Sequence, residues 1–189
     1  MAILRQIPKV LKFLPGKAQD LRAYFLSMQY WLAGSEENIE SLFCYLLSRY
    51  SSLDYSGELE IKSPVEYPET GLYHPDLPAK ITEKVSEIPS VKNSTGTVGL
   101  LLMRSYVLSG DTAHYDEVIR SLETLGLEVI PAFASGLDAR PAISKYFLHN
   151  SKASIDAFLS LTGFSLVGGP AYNSSEAAEE ALAELDVPY

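Results

Sequence analysis

The chain has 189 residues, 15 basic against 24 acidic side chains and a net charge of −9, with 47% hydrophobic and 21% charged residues. That apolar share can build a core and excludes a disordered polypeptide, and the length allows one ordinary domain or two small ones. The acidic balance excludes non-specific binding to nucleic acid, which needs a cationic face, and no run of about 18 uncharged apolar residues exists to span a membrane.

The charge is uneven. Residues 1–34 carry Arg5, Lys9, Lys12, Lys17 and Arg22 against Asp20 alone, a balance of +4, so the rest carries −13. The basic opening is not a signal peptide, because Arg5, Pro8, Lys9 and Lys12 interrupt any apolar h-region. It reads as an amphipathic helix or turn packed on the next helix. From Lys17 the pattern is helical: Leu21, Tyr24, Phe25, Met28, Trp31 and Leu32 form one stripe, and Gly34 ends it. Ser35 is placed to cap a second helix, with Glu36 and Glu37 in its first turn and Ile39, Leu42, Phe43, Leu46 and Leu47 as its stripe. So short a connection predicts an antiparallel hairpin with the two stripes as its core. Cys44, the single cysteine, lies in this apolar run, which excludes a disulfide framework and a cysteine-based metal site and points to a reducing, intracellular compartment.

Between Ser51 and Thr97 the periodicity fades and prolines punctuate the chain. The segment from Pro64 to Pro78 reads as an ordered extended loop, since Tyr67, Leu72, Tyr73 and Leu77 are too apolar for a free linker. Ile81–Ile88 adds one or two helical turns, and residues 92–97 read as a linker. The domain division falls near residue 90: a helical hairpin with a Pro-rich ordered loop over 1–90, and a parallel α/β domain, truncated at its end, over 91–189.

In that second part strands and helices alternate. Val98–Met103 is apolar on both faces, as a central parallel strand requires. Asp111 caps a helix to Leu125, stopped by Gly126. Leu127–Ile130 is a second strand, Asp138 caps a helix to about Leu148, Ile155–Leu161 is a third strand, and Ser174 or Ser175 caps the last helix to Leu185. The class is α/β: a small helical N-terminal part followed by an open parallel sheet of flavodoxin-like or Rossmann-like β-α-β-α-β-α order. The chain ends at Tyr189 where a further strand would begin, which points to a piece of a longer protein.

Ligands of such sheets sit at the carboxyl ends of the strands, here the loops Arg104–Gly110, Pro131–Leu137 and Thr162–Asn173. Arg104 supplies a cation beside a helix N-terminus, and Phe164 and Tyr172 supply walls. Tyr73 and His74 could approach from the first domain. His114, near Asp111 and Asp116, could serve a weak metal or proton-transfer role, but a capped, solvent-facing first-turn histidine is the favoured reading. The three histidines have no metal-ligand spacing, the Gly168-Gly169 pair is not a dinucleotide fingerprint, and no phosphate loop or nucleophile elbow is present. No catalytic residue and no metal ligand is assigned.

Four long runs carry more than any motif. Tyr24–Phe43, Val98–Tyr115, Pro131–Pro141 and Ser160–Asn173 resemble, in order, the large-subunit family of magnesium chelatase and cobaltochelatase. The resemblance implies an N-terminal portion of a much longer subunit that binds protoporphyrin IX. With two ATPase-type partner subunits, that large subunit inserts magnesium at the first committed step of chlorophyll synthesis. It implies no cofactor bound by this piece, magnesium and ATP being used by the full complex, and a cyanobacterial cytoplasm or chloroplast stroma as its place. Two other readings remain: a structural or docking region without a ligand site, and a flavodoxin-like small-molecule module.

Overall fold

The computed structural model describes residues 2–52, 59–169 and 172–189; side chains are described for all of these except 2–5, 169, 172 and 173. The chain forms two compact units, residues 1–67 with 108–110, and residues 68–107 with 111–189. The division falls at Tyr67/Pro68 and not near residue 90, because the Pro-rich segment joins the sheet of the second unit.

The first unit holds α1 (Ala2–Leu11), α2 (Ala18–Ala33) and α3 (Glu36–Tyr50). The expected punctuation is in place: Gly34 adopts φ 67° and returns its N–H to Tyr30, and the Ser35 hydroxyl accepts from the Asn38 N–H. Positive φ is what glycine allows at a helix end. The Gln19 side-chain amide donates to the carbonyls of Leu11 and Leu14, closing the turn between α1 and α2.

The hairpin interior corrects the expected one. Ala23, Tyr30 and Leu42 are buried, together with the polar Ser35, Asn38 and Ser41, whereas Leu21, Tyr24, Trp31, Leu32, Phe43 and Leu47 from the expected stripes are exposed. The polar interior fastens an extended segment. Tyr30 donates its hydroxyl proton to the Lys62 carbonyl, at 2.5 Å. Asn38 donates to the Val65 carbonyl at 3.1 Å and accepts from the Val65 N–H at 2.9 Å. A buried amide satisfied on both of its ends is stable where an apolar side chain would leave the Val65 backbone unpaired.

The second unit is a five-stranded sheet. Its elements are β1 (Thr70–Tyr73), β2 (Ile81–Thr82), a 3₁₀ turn (Val85–Glu87), β3 (Gly96–Met103), α4 (Arg104–Ser109), α5 (Ala113–Thr124) and β4 (Leu127–Ala134). There follow α6 (Arg140–Tyr146), the hairpin of β5 (Leu148–His149) and β6 (Lys152–Ala153), β7 (Ala157–Ser160), the hairpin of β8 (Gly168–Gly169) and β9 (Tyr172–Asn173), and α7 (Ser175–Leu185). The order is β2-β1-β4-β3-β7, with β4, β3 and β7 parallel and β1 and β2 antiparallel. The fold is α/β as expected, but the sheet is mixed. β3 lies inside it between β4 and β7, as a strand apolar on both faces must.

Alternate side chains feed two cores. Leu101, Ile130, Ala132 and Phe158 pack with Ile143, Tyr146 and Phe147 of the α6 region and Leu185 of α7. Leu100, Leu102, Val129 and Phe133 pack with Tyr73 and with Tyr115 and Ile119 of α5. Packing is tight enough that two glycines are required: a Cβ on Gly71 would stand 2.5 Å from Phe133 Cζ, and one on Gly99 2.7 Å from Ile155 Cδ1.

Several boundaries differ from expectation. The first strand-end loop is helical from Arg104, and Asp111 does not cap α5, whose N-cap position is Thr112, with no capping bond from its side chain. β4 runs through Pro131 to Ala134, because β1 pairs with residues 132–134 and demands no donor from Pro131 in those pairs. Residues 96 and 97 of the expected linker already belong to β3, and Ile81–Ile88 is a short strand and a 3₁₀ turn. Ser174 caps α7 as expected, accepting from the Ala177 N–H at 3.2 Å.

Candidate functional site

The carboxyl ends of β3, β4 and β7 frame a small cleft lined by Met103, Ala134, Leu137, Thr162, Phe164 and Ser165. The loop after β7 folds onto the loop after β4: the Ala139 N–H donates to Leu166 O at 2.8 Å and the Gly168 N–H to Leu137 O at 2.9 Å. Thr162 knots its own turn, its hydroxyl accepting from the Phe164 N–H at 3.3 Å. The cleft is open to solvent and its volume is about 30 Å³, room for one or two water molecules. Asp138 beside it accepts a forked contact from Arg140, the shorter arm 2.7 Å, and that guanidinium holds its carboxyl below the usual carboxylate range.

The six residues singled out in the sequence do not converge. Phe164 lines the cleft and is 45% exposed. Arg104 follows Met103 at its rim, but its Nε donates to the Pro68 carbonyl at 3.1 Å and so braces the strand-entry segment. His114 is exposed, its ring packed on Tyr115 with centroids 3.9 Å apart and edge-on to Tyr106. Tyr172 lies in β9, its side chain outside the described residues.

Tyr73 and His74 belong to the second unit itself and reach α5, away from the cleft. Tyr73 donates to Asp116 at 2.6 Å and lies 2.9 Å from the Thr112 hydroxyl; burial first, and then this bond to a carboxylate, push its phenol up to about 12. His74 is fully buried, its Nδ1 accepts from the Asp76 N–H at 3.1 Å, and Nε2 therefore carries the proton toward Glu123 at 3.0 Å. Arg120, between them on the helix, meets Asp76 at 2.6 Å and lowers its carboxyl pKa. Residues 112, 116, 120 and 123 lie on one face of α5, so the β1 end is fastened at four points along one helix. The spacing of that face is readable in the sequence; its partners across more than 35 residues are not.

The first unit holds a roomier groove of about 310 Å³, lined by Lys9, Lys12 and Arg22 with Pro8, Leu26 and Pro64 among its apolar walls. Arg22 Nε donates to the Pro8 carbonyl at 3.2 Å, which fixes α2 to α1. Among the described residues no group of three or more His, Cys, Asp or Glu side chains converges as a metal-ion site, and no helix is long and apolar enough to cross a membrane.

A parallel sheet entered through an antiparallel edge, with a helical hairpin before it, defines an α/β protein with a strand-end cleft. Comparison with known proteins narrows this. A profile of the CobN/Magnesium Chelatase family matches residues 28–189, and one of a domain of unknown function matches residues 1–25. The chain belongs to the CobN/magnesium chelatase family. Over 189 residues it is 60% identical to the H subunit of magnesium chelatase from Cereibacter sphaeroides, all of this chain aligning with 16% of that protein. It is 37% identical over 207 residues to the chloroplastic ChlH subunit of magnesium chelatase from Oryza sativa subsp. indica, where it covers 15%. The chain thus spans about one sixth of the relatives it matches. The catalytic subunit of cobaltochelatase from Mycobacterium tuberculosis aligns with 73% of this chain and 10% of its own length, at 17% identity and a TM-score of 0.47, too distant to carry an argument.

Proposed function

We propose that this chain is a stretch of the porphyrin-binding H subunit of a magnesium chelatase, and that it serves there as framework and docking region while the porphyrin is seated elsewhere in the subunit. The observation that carries the first half is the 60% identity across all 189 residues to a protein named as the H subunit of magnesium chelatase. In the full assembly the subunit presents protoporphyrin IX for magnesium insertion, two pyrrolic protons leaving as the substrate metal enters. Partner subunits of ATPase type hydrolyse ATP, in a bacterial cytoplasm or chloroplast stroma.

The second half is supported by size and by occupied polar groups. A flat macrocycle with two propionates needs room in the range of about 300–1,000 Å³, aromatic or aliphatic walls and a cation. The strand-end cleft offers about 30 Å³. The groove of the first unit, at about 310 Å³, stands at the bottom of that range and has no aromatic wall. Arg104, Tyr73 and His74, the residues best suited to a propionate, are bonded to Pro68, Asp116 and Glu123 of their own unit.

The test is a deuteroporphyrin titration of the full-length subunit and of residues 1–189 alone. The proposal expects saturable binding by the former and no change in Trp31 emission for the latter, with no magnesium porphyrin formed when residues 1–189 replace the subunit beside its partners and ATP. Saturable quenching of Trp31 would move the porphyrin seat into this stretch.

A further inference from the structure

The basic side chains of this acidic chain are spent unevenly. Arg49, Arg120, Arg140, Lys84 and Lys145 each hold a carboxylate at 3.0 Å or less. Among the described residues Lys9, Lys12 and Arg22 have no carboxylate partner, although the chain carries 24 acidic side chains. All three line the groove of about 310 Å³ that lies within the first unit. Lys9 and Lys12 are three residues apart on α1 and so are neighbours on its surface, and Arg22 reaches the same groove from α2. Glu66, from the extended segment, is the one carboxylate of the lining, and it leaves an excess of two positive charges.

Arg22 is held in place. Its Nε donates to the Pro8 carbonyl at 3.2 Å, a neutral acceptor that fixes the guanidinium without cancelling its charge. The side chain is half-buried, which lowers the dielectric around it and strengthens a charge-assisted bond from its terminal nitrogens. An arginine fixed this way presents a fork that matches the paired oxygens of a phosphate or carboxylate. The two lysines are exposed and add charge without fixing geometry. A strip of solvated surface lysines has neither a concavity nor a fixed guanidinium; this groove has both.

Size and walls narrow the ligand. A volume of about 310 Å³ stands at the lower end of small-molecule sites. Pro8, Leu26 and Pro64 supply apolar wall, and no lining residue is aromatic, so nothing there stacks a nucleobase. We propose that this groove is a binding site for a small polyanion, two or more phosphoryl or carboxylate groups on a compact body. Arg22 grips one anionic group, and Lys9 and Lys12 neutralise the rest. The inference rests on the groove alone and not on the porphyrin reading.

The test is calorimetric titration of the full-length subunit, at low salt and without magnesium, with pyrophosphate and in parallel with citrate. Saturable binding of at least one is expected, weakening as salt is raised. Arg22→Gln and, separately, Lys9→Gln combined with Lys12→Gln should each lower that affinity by roughly tenfold or more, with the fold intact by circular dichroism. The lysine pair is exposed, so its removal leaves the fold untouched even if Arg22→Gln loosens α1 from α2. Lys84→Gln removes a cation already paired with Glu87 and should leave the affinity within about twofold. Binding of pyrophosphate alone assigns the site to phosphoryl groups, and binding of citrate alone assigns it to carboxylates. Absence of saturable heat with both probes overturns the proposal. So does parental affinity in the folded Arg22→Gln variant or in the double lysine variant.

Discussion

The two units solve the same problem in opposite ways. The second buries leucine, valine, isoleucine and phenylalanine on both faces of a sheet and uses its polar side chains at the edges to fasten β1 to α5. Among its described residues between 6 and 67 the first buries only Ala23, Tyr30 and Leu42 of the aliphatic and aromatic side chains outside proline, puts Asn38 and Ser41 inside, and leaves Trp31, Tyr24 and Phe43 outside. A unit that completes its own core is stable by burial. A unit that turns several of its largest apolar side chains outward leans more heavily on its hydrogen bonds.

Substitutions should break this contrast in graded fashion. Leu101→Asp places a charge at a site 2% exposed with no partner, and should destabilise the second unit by about 4 kcal/mol or more, read as loss of its cooperative transition in chemical denaturation. A variant melting within a few degrees of the parent would remove β3 from the core. Asn38→Ala takes both bonds from Val65 and should cost about 2 to 3 kcal/mol, confined to the first unit; hydrogen exchange should rise at Val65 and stay unchanged in β3.

Tyr73→Phe should cost about 1 to 2 kcal/mol at neutral pH. It has a pH signature as well. The folded phenol keeps its proton to about pH 12, against 10 in the unfolded chain, so the folded state binds more protons in that window. The contribution is complete below pH 10 and is lost as pH rises toward 12, a change on the order of 2 kcal/mol that the phenylalanine variant should lack. Smallest of all, Trp31→Ser in residues 1–189 alone should shift stability by no more than about 0.5 kcal/mol and raise solubility, because the indole is 64% exposed. A large loss there would mean that Trp31 already sits in a core.

Local punctuation is legible in the sequence because it is local physics. Gly34 at positive φ, Ser35 and Ser174 as caps, and the both-faced apolar run of β3 need no knowledge of distant chain. β1 is not legible, because Thr70–Tyr73 is short and flanked by prolines, and its partner β4 begins more than 50 residues later. The hairpin interior departs from the expected one, keeping Leu42 but exposing Trp31 and Phe43, for a related reason. A period of 3.6 shows that a stripe exists but not which neighbour covers it, and Asn38 reads as a surface residue unless the crossing of Val65 is known. At the site, Phe164 stands at a strand-end loop as its place in the chain indicates. Tyr73 and His74 stand out as chemistry, although their partners Asp116 and Glu123, 43 and 49 residues away, make them fasteners.

The framework reading is tested most directly by the porphyrin dissociation constant of the full-length subunit carrying Arg104→Ala and, separately, Phe164→Ala. The account predicts values within twofold of the parent for both, with the fold intact by circular dichroism. A loss of tenfold or more on Arg104→Ala, the about 1.5 to 3 kcal/mol of a hydrogen bond to a charged group, would place a propionate on that guanidinium and contradict it.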